Sequence, residues 1–216
     1  MEAGAGLKKE YHKAGRVIDR LAILELLDGN SLTVHFQPIF SSNDGAVYGY
    51  EALTRIKEDK VTGGIGDLFK TAIRTNTISS LDVQCRENAV KLASSLGINR
   101  NGAYLFLNIC AETLMDPAHR EGITDEFIEE AGLSKDRIVI EVTEESAVKD
   151  YSLFNKAIER YRDKGYKIAI DDFGSGYAGL KMLSMIKPDF VKIDRYFISH
   201  IQPPSATASE AISIGV

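Results

Sequence analysis

The stretch KIAIDDFGSGY, residues 167–177, carries an apolar run that stops at two adjacent carboxylates and a glycine-rich turn. A short apolar run with β-branched residues predicts a buried strand, and the glycines predict a tight loop that leads into a helix. Asp171 and Asp172 therefore lie at the carboxyl end of a strand, where α/β folds place catalytic groups. By itself the pair is more typical of a helix cap or a solvated turn. Its meaning depends on the rest of the chain.

Strand and helix patterns alternate on both sides of this stretch. Extended patterns cover residues 32–40, 46–53, 103–109, 137–143 and 190–193, and helical spacing covers residues 17–27, 67–75, 81–96, 124–131, 150–164 and 179–186. Asn43, Asp44 and Gly45 are a strong hairpin signal, which makes the first two strands antiparallel. The later alternation predicts a parallel sheet covered by helices, either doubly wound or closed as a (β/α) barrel.

Polar residues near the carboxyl ends of the strands decide between these two folds. They come late in otherwise apolar strands, and they are Glu51, Asn108, Glu141, Asp171, Asp172 and Lys192. Charged or amide side chains at such positions are costly unless they converge on a shared site. A barrel mouth brings the ends of all its strands together, whereas an open sheet keeps distant strands apart. We therefore expect the barrel.

Four carboxylates and a carboxamide at one mouth would repel one another, so the site needs positive charge. Oxygen ligands without nearby His or Cys favour Mg²⁺ or Mn²⁺ over Zn²⁺. Adjacent carboxylates such as Asp171 and Asp172 can serve two ions, and two-metal sites typically hydrolyse phosphoesters. The alternative is a salt-bridge network in which Lys192 and Arg55 neutralise buried carboxylates.

Composition sets further limits on function. The net charge of −5 argues against a DNA-binding groove, which normally needs a basic face. The sequence has no run of about 18 apolar residues and no signal-peptide core near its N-terminus, so we expect no membrane segment and a cytoplasmic location. Cys85 and Cys110 form neither a disulfide framework nor a zinc spacing, and we expect two buried thiols.

An ordered set of motifs at the strand ends resembles the EAL-domain family of cyclic-di-GMP phosphodiesterases. The resemblance runs from about residue 32 to residue 201. It is carried by the motifs Gln37-Pro38, Tyr50-Glu51-Ala52-Leu53-Thr54-Arg55, Leu107-Asn108, Glu141-Val142-Thr143-Glu144, Asp171-Asp172-Phe173-Gly174-Ser175-Gly176-Tyr177 and Lys192-Ile193-Asp194. A lone Glu-Ala-Leu tripeptide would carry no weight, but the whole set in order is highly specific.

The resemblance implies a modified TIM barrel whose first strand is antiparallel, in agreement with the hairpin. It implies cleavage of cyclic di-GMP to the linear dinucleotide with two Mg²⁺ or Mn²⁺ ions. The first ion would be held by Glu51, Asn108, Glu141 and Asp171, of which Glu51 and Asp171 also count as catalytic. Asp172 would hold the second ion, and Lys192 would orient or help deprotonate the water.

The resemblance also assigns residues to the substrate and to the loop after the fifth strand. Arg55 and the backbone near Leu53 would bind a substrate phosphate, where a guanidinium fork suits the geometry, and Gln37 is a further substrate-binding candidate. Asp194 would lie beside the metals or hold Lys192. Glu144 would anchor the loop at residues 173–180, which links substrate binding to the metals and to a homodimer.

The C-terminal part departs from the family pattern. Six strands can be counted, whereas a barrel needs eight. Residues 203–209 resemble a linker, because the prolines at 203 and 204 would end a preceding helix. We expect an N-terminal tail at residues 1–15, a barrel domain at 16–202 that stops before its last two strands, and a linker-like tail at 203–216. A sensory or GGDEF-type domain could accompany it in a longer protein. Three functions are therefore considered for this chain: an active phosphodiesterase, a catalytically degenerate receptor for cyclic di-GMP, or a protein-interaction module.

Overall fold

The computed structural model describes residues 16–17, 19–28, 31–57, 61–99, 102–143, 150–176, 179–199 and 213–215. The strands are β1 (Arg16–Val17), β2 (Leu32–Phe40), β3 (Val47–Ile56), β4 (Val61–Thr62), β5 (Tyr104–Asn108), β6 (Ile138–Thr143), β7 (Lys167–Phe173), β8 (Phe190–Ile193) and β9 (Ser213–Gly215). The helices are α1 (Arg20–Asp28), α2 (Ile65–Arg74), α3 (Ile78–Ser95), α4 (Ala111–Met115), α5 (Ile123–Glu130), α6 (Tyr151–Asp163), α7 (Gly179–Ile186) and α8 (Arg195–Ile198).

Seven of these strands form one sheet in the order β2-β3-β5-β6-β7-β8-β9. β2 and β3 pair antiparallel, and each pair from β3 to β8 is parallel. The connections between the parallel strands carry helices. The structure thus confirms the predicted α/β class. The first strand of this sheet, β2, is antiparallel to β3, which is the arrangement expected for the modified TIM barrel.

The hairpin that reverses β2 into β3 is formed by the predicted residues. Gly45 has a φ of +69°, a region that glycine adopts without steric cost. The N–H of Ser41 donates to the carbonyl of Ala46 at 2.8 Å, and the N–H of Ala46 donates to Oδ1 of Asp44 at 3.1 Å. These local bonds set the antiparallel register in which Gln37 lies opposite Glu51.

The two faces of the sheet pack against different neighbours. One face, with Leu105, Leu107, Ile138, Ile140 and Ile168, packs with α3, α5 and α6 in the larger core. The opposite face carries a small cluster of buried residues, namely Phe106, Val139, Ala169 and Phe190. Gly49 lets the strands approach here, since an added β-carbon would stand 2.8 Å from the ring of Phe106. The polar residues of the candidate site lie on this same face.

Some elements were not predicted from the sequence. β1 and β4 form a separate parallel pair, in two-residue strands too short to show any periodicity. β9 pairs antiparallel with β8, within the segment that we expected to be a tail. The boundary at residue 202 stays a prediction, because residues 200–212 lie outside the described part of the chain.

None of the helices in the described residues combines the length and the apolar character that a membrane crossing requires.

Candidate functional site

Five polar side chains lie on the sheet face that carries the small cluster of Phe106, Val139, Ala169 and Phe190, here called the inner face. Side chains two residues apart on a strand point to the same face, so Asn108 follows Phe106, Glu141 follows Val139, Asp171 follows Ala169 and Lys192 follows Phe190 on that face. Glu51 follows Gly49 in the same way. The inner face therefore changes from apolar to polar toward the carboxyl ends of the strands.

The ammonium of Lys192 lies among three carboxylates. Its Nζ is 2.8 Å from Oε2 of Glu51, 2.9 Å from Oε1 of Glu141 and 3.1 Å from Oδ1 of Asp171. One oxygen from each carboxylate falls in a group whose members are all within 4.8 Å of one another. The structure thus brings together four of the side chains that the sequence placed at the mouth.

Burial controls the protonation of this group. The side chain of Glu141 is fully buried, and burial raises its pKa to about 8, with Glu51 and Asp171 adding to the shift and Lys192 opposing it. Burial alone would lower the pKa of Lys192, but the three carboxylates outweigh it and raise that pKa. Lys192 is therefore an ammonium at neutral pH, and Glu141 keeps its proton at higher pH than an ordinary glutamate does.

The residues present fit a hard metal cation. Neither carboxylate oxygen of Glu141 has an aligned hydrogen-bond partner in the described part of the chain, although Nζ of Lys192 lies beside one of them. An ionised carboxylate that is buried without hydrogen bonds is costly, and a cation bound to its oxygens would stabilise it. The donors are oxygen atoms from Glu51, Glu141 and Asp171, with Asn108 opposite Glu141 in the register, and such a set suits Mg²⁺ or Mn²⁺.

Asp172 has a different placement from Asp171. Its φ is +53° and its side chain is exposed, and the pairing of β7 with β8 shifts register between Ile170 and Phe173. The N–H of Asp172 donates to Oδ1 of Asp171 at 3.0 Å. Asp172 lines the cavity above the cluster but is outside the group of three carboxylates, so its role as a ligand of a second ion stays a prediction.

A cavity of about 540 Å³ opens over the cluster, and it includes two of the predicted substrate-binding residues. Leu53 and Arg55 follow Glu51 on the same face of β3, and both line the cavity. Nη1 of Arg55 donates to the carbonyl of Thr54 at 2.9 Å. Gln37 lies directly opposite Glu51 on β2, on the same face, and is exposed.

Two further predicted residues lie apart from the cluster or outside the described residues. Asp194 caps the N-terminus of α8, where its Oδ1 accepts from the N–H of Tyr196 at 2.6 Å. Its proposed roles beside the metals and as a partner of Lys192 stay predictions. Glu144, the predicted loop anchor, lies outside the described residues.

Helices α2 and α3 form a wall of the cavity that was not predicted from the sequence. Phe69 and Lys70 of α2 line it, as do Asp82 and Arg86 of α3. The α3 pair carried a signal in the sequence, because two charged residues four positions apart occur on the face that also carries Leu81, Cys85 and Ala89. A charged pair on the buried stripe of a helix is unusual.

Comparisons with known proteins agree with this geometry. The model of the EAL domain family matches residues 20–213. The chain is 32% identical over 183 residues to the cyclic di-GMP phosphodiesterase NbdA of Pseudomonas aeruginosa, covering 82% of this chain and 23% of that protein. It is 32% identical over 180 residues to the probable cyclic di-GMP phosphodiesterase PdeA of Escherichia coli, covering 81% of this chain and 24% of that protein. The chain thus spans less than a quarter of the length of these relatives.

A solved structure with the same fold is the manganese and cyclic di-GMP complex of BlrP1 from Klebsiella pneumoniae. Its TM-score with this chain is 0.68 at 28% identity, and the match covers 80% of this chain and 42% of that one.

Proposed function

The chain belongs to the EAL domain family, and from that premise we propose that it is a metal-dependent phosphodiesterase that hydrolyses cyclic di-GMP to the linear dinucleotide. The observation that carries the proposal is the group of three carboxylates around the ammonium of Lys192, two of which, Glu51 and Asp171, line an open cavity. Two relatives named as cyclic di-GMP phosphodiesterases and a manganese complex of similar fold support the same reaction.

The first ion would be held by Glu51, Asn108, Glu141 and Asp171, and Asp172 would contribute to a second. Bound there, Mg²⁺ or Mn²⁺ would act as a Lewis acid and lower the pKa of a bound water. Ionised Glu141 would be required, because a metal ligand carboxylate must be deprotonated. Displacing the proton from Glu141 is therefore part of loading the site.

Lys192 would act on the water. In the metal-free chain the surrounding carboxylates raise its pKa, so the side chain is an ammonium that could orient the attacking water by a hydrogen bond. With the carboxylates bound to metal ions this shift would be smaller, so both roles that the family resemblance implies, orientation and deprotonation of the water, stay part of the proposal.

Arg55, Leu53 and Gln37 are proposed to bind the substrate. Leu53 and Arg55 line the cavity two and four residues beyond Glu51 on β3, so a phosphate held there would be close to the cluster. A guanidinium offers paired donors that match the phosphate oxygens. Gln37 offers an exposed amide on the neighbouring strand, opposite Glu51.

The test is turnover of cyclic di-GMP by the purified chain with Mg²⁺ or Mn²⁺, followed by chromatographic separation of the linear product. Glu51→Gln and Asp171→Asn should each abolish hydrolysis while leaving the fold intact, because each removes a ligand charge without removing core volume. Glu130→Gln is the matched control, since it makes the same chemical change on an exposed residue of α5. Equal turnover in Glu51→Gln and Glu130→Gln would refute the assignment.

The two alternative functions give other results in the same experiment. A receptor would bind cyclic di-GMP in calorimetry without producing the linear dinucleotide. A protein-interaction module would neither bind nor hydrolyse it.

Location and assembly are further parts of the proposal. We propose a cytoplasmic domain, which its two free cysteines support because reduced thiols are typical of that compartment. A homodimer is proposed through the exposed side chains of Leu180, Tyr196 and Phe197 beside the loop after β7. The greater length of the relatives supports a sensory or GGDEF-type domain in the same protein.

A further inference from the structure

A buried ion pair on α3 forms part of the wall of the cavity over the carboxylate cluster. Arg86 and Asp82 are four residues apart on α3, with Nη2 of Arg86 3.2 Å from Oδ2 of Asp82. Their side chains are only 1% and 3% exposed, yet both border the cavity over the cluster. A pair buried this deeply costs desolvation energy, and replacing such pairs with apolar residues is often neutral or stabilising.

Arg86 also donates hydrogen bonds to side chains of two other helices, α5 and α6. Its Nη1 donates to Oγ1 of Thr124 at 2.7 Å and to the hydroxyl of Tyr161 at 3.3 Å. The two hydroxyl oxygens are themselves 3.1 Å apart. Arg86 therefore connects α3 to α5 and α6, and its position is fixed by groups outside its own helix.

Asp82 uses its other oxygen on the loop that follows β5. Its Oδ1 accepts from the backbone N–H of Cys110 at 3.3 Å, a contact between residues 28 positions apart. Cys110 is the N-cap residue of α4 and comes two residues after Asn108. The intervening residue, Ile109, donates its N–H to the carbonyl of Glu141 at 2.9 Å. The backbone beyond Asn108 is thus tied once to β6 and once to α3.

We propose that Asp82 is a positioning residue for the metal site, which fixes the backbone at Cys110 and thereby the placement of Asn108 beside Glu141. The inference rests on the proposed metal site, in which Asn108 is a ligand. Groups that orient metal ligands without touching the metal commonly matter for its affinity. Arg86 pairs with the other oxygen of this carboxylate and compensates its buried charge, whereas the hydrogen bond from Cys110 is what positions the loop.

Two double variants separate this role from the ion pair itself. Asp82→Asn/Arg86→Met removes both charges but keeps an oxygen acceptor for the N–H of Cys110. Asp82→Leu/Arg86→Met removes the charges and the acceptor together, with the same number and branching of side-chain heavy atoms. Both therefore lose the same ion pair, and the contrast between them is the polar side chain that can accept the hydrogen bond from the loop.

The measurements are the Mn²⁺ dissociation constant by calorimetry and the thermal unfolding midpoint. We expect the Leu variant to bind Mn²⁺ about tenfold or more weakly, and the Asn variant to stay within about threefold of the unchanged chain. A purely structural pair would shift the unfolding midpoint of both variants and leave no difference in Mn²⁺ affinity between them. Equal Mn²⁺ affinity in the two variants, whether weakened or not, would overturn the inference.

Hydrogen exchange provides a second measurement that needs no variant to fold. The Cys110 amide of the unchanged chain should be protected from exchange to a similar degree as buried amides of α3, and rapid exchange there would also overturn the inference. Absence of Mn²⁺ binding by the unchanged chain would instead refute the metal site of the proposed function. The two failures are thus distinguishable.

Discussion

The ring of Phe197 lies against Gly174 so closely that its Cε2 would stand 2.5 Å from a β-carbon added at that glycine. Gly174 directly follows β7, which carries Asp171 and Asp172, and its φ is +101°. Phe197 belongs to α8, which follows the strand of Lys192. The contact therefore joins the loop after one site strand to the helix after the next.

Gly174→Ala should destabilise the chain and move the loop. An alanine at this φ is strained by about 2 kcal/mol, and its β-carbon would also have to displace the ring of Phe197. Urea unfolding measures the loss. Gly66→Ala is the control, because a β-carbon at Gly66 meets nothing within 4 Å and the residue lies inside α2. Equal stability of the two variants would contradict the contact.

Lys192→Met should destabilise the metal-free chain on the order of 3 kcal/mol at pH above 8, because it leaves buried carboxylates without their counter-charge. The loss should be smaller near pH 6, where Glu141 keeps its proton. Lys91→Met is the matched control: its ion pair with Glu87 is on the surface, with the lysine side chain 65% exposed. That pair should contribute little to stability, because solvent screens an exposed ion pair. Similar losses from both substitutions in urea unfolding would argue against the buried cluster.

Glu141 should make the metal-free chain less stable as pH rises. Its pKa is about 8 in the folded state and 4.5 without perturbation, so between these values the folded state holds a proton that the unfolded state releases. Stability then falls by up to about 1.4 kcal/mol per pH unit and levels off above pH 8. The raised pKa of Lys192 contributes stability that is fully present below its unfolded pKa of 10.5, so it is constant over this range.

The measurement is urea unfolding with a chelator from pH 5 to pH 9, for the unchanged chain and Glu141→Gln. The difference in unfolding free energy between the two should decline with pH, because only the unchanged chain has the titrating group. Parallel curves would mean that Glu141 has an ordinary pKa.

Asp194 should act on stability mainly through the cap of α8. Asp194→Ala should cost about 1 kcal/mol, whereas Asp194→Asn should cost only a few tenths, since asparagine accepts the Tyr196 N–H equally well. Thermal unfolding distinguishes the two variants. Equal losses would show that the carboxylate charge, rather than the cap, determines the contribution of Asp194.

Local sequence patterns determined most of the secondary structure and the composition of the site. The hairpin at Asn43-Asp44-Gly45 has specific turn chemistry, and each long strand or helix has a period that shows which residues are buried. The sequence also placed Glu51, Glu141, Asp171 and Lys192 late in otherwise apolar strands. Their convergence on a cation site followed from the cost of burying charge.

Only the tertiary structure decided how these residues are arranged. It placed the ammonium of Lys192 among three carboxylates and left Asp172 outside that group, through a positive φ and a register shift that arise where β7 meets β8. It also brought Asp82 to the backbone of Cys110, 28 residues away in sequence. Side-chain periodicity is a property of one segment, whereas such contacts depend on how segments pack. A sequence therefore shows which residues face inward more readily than which of them meet.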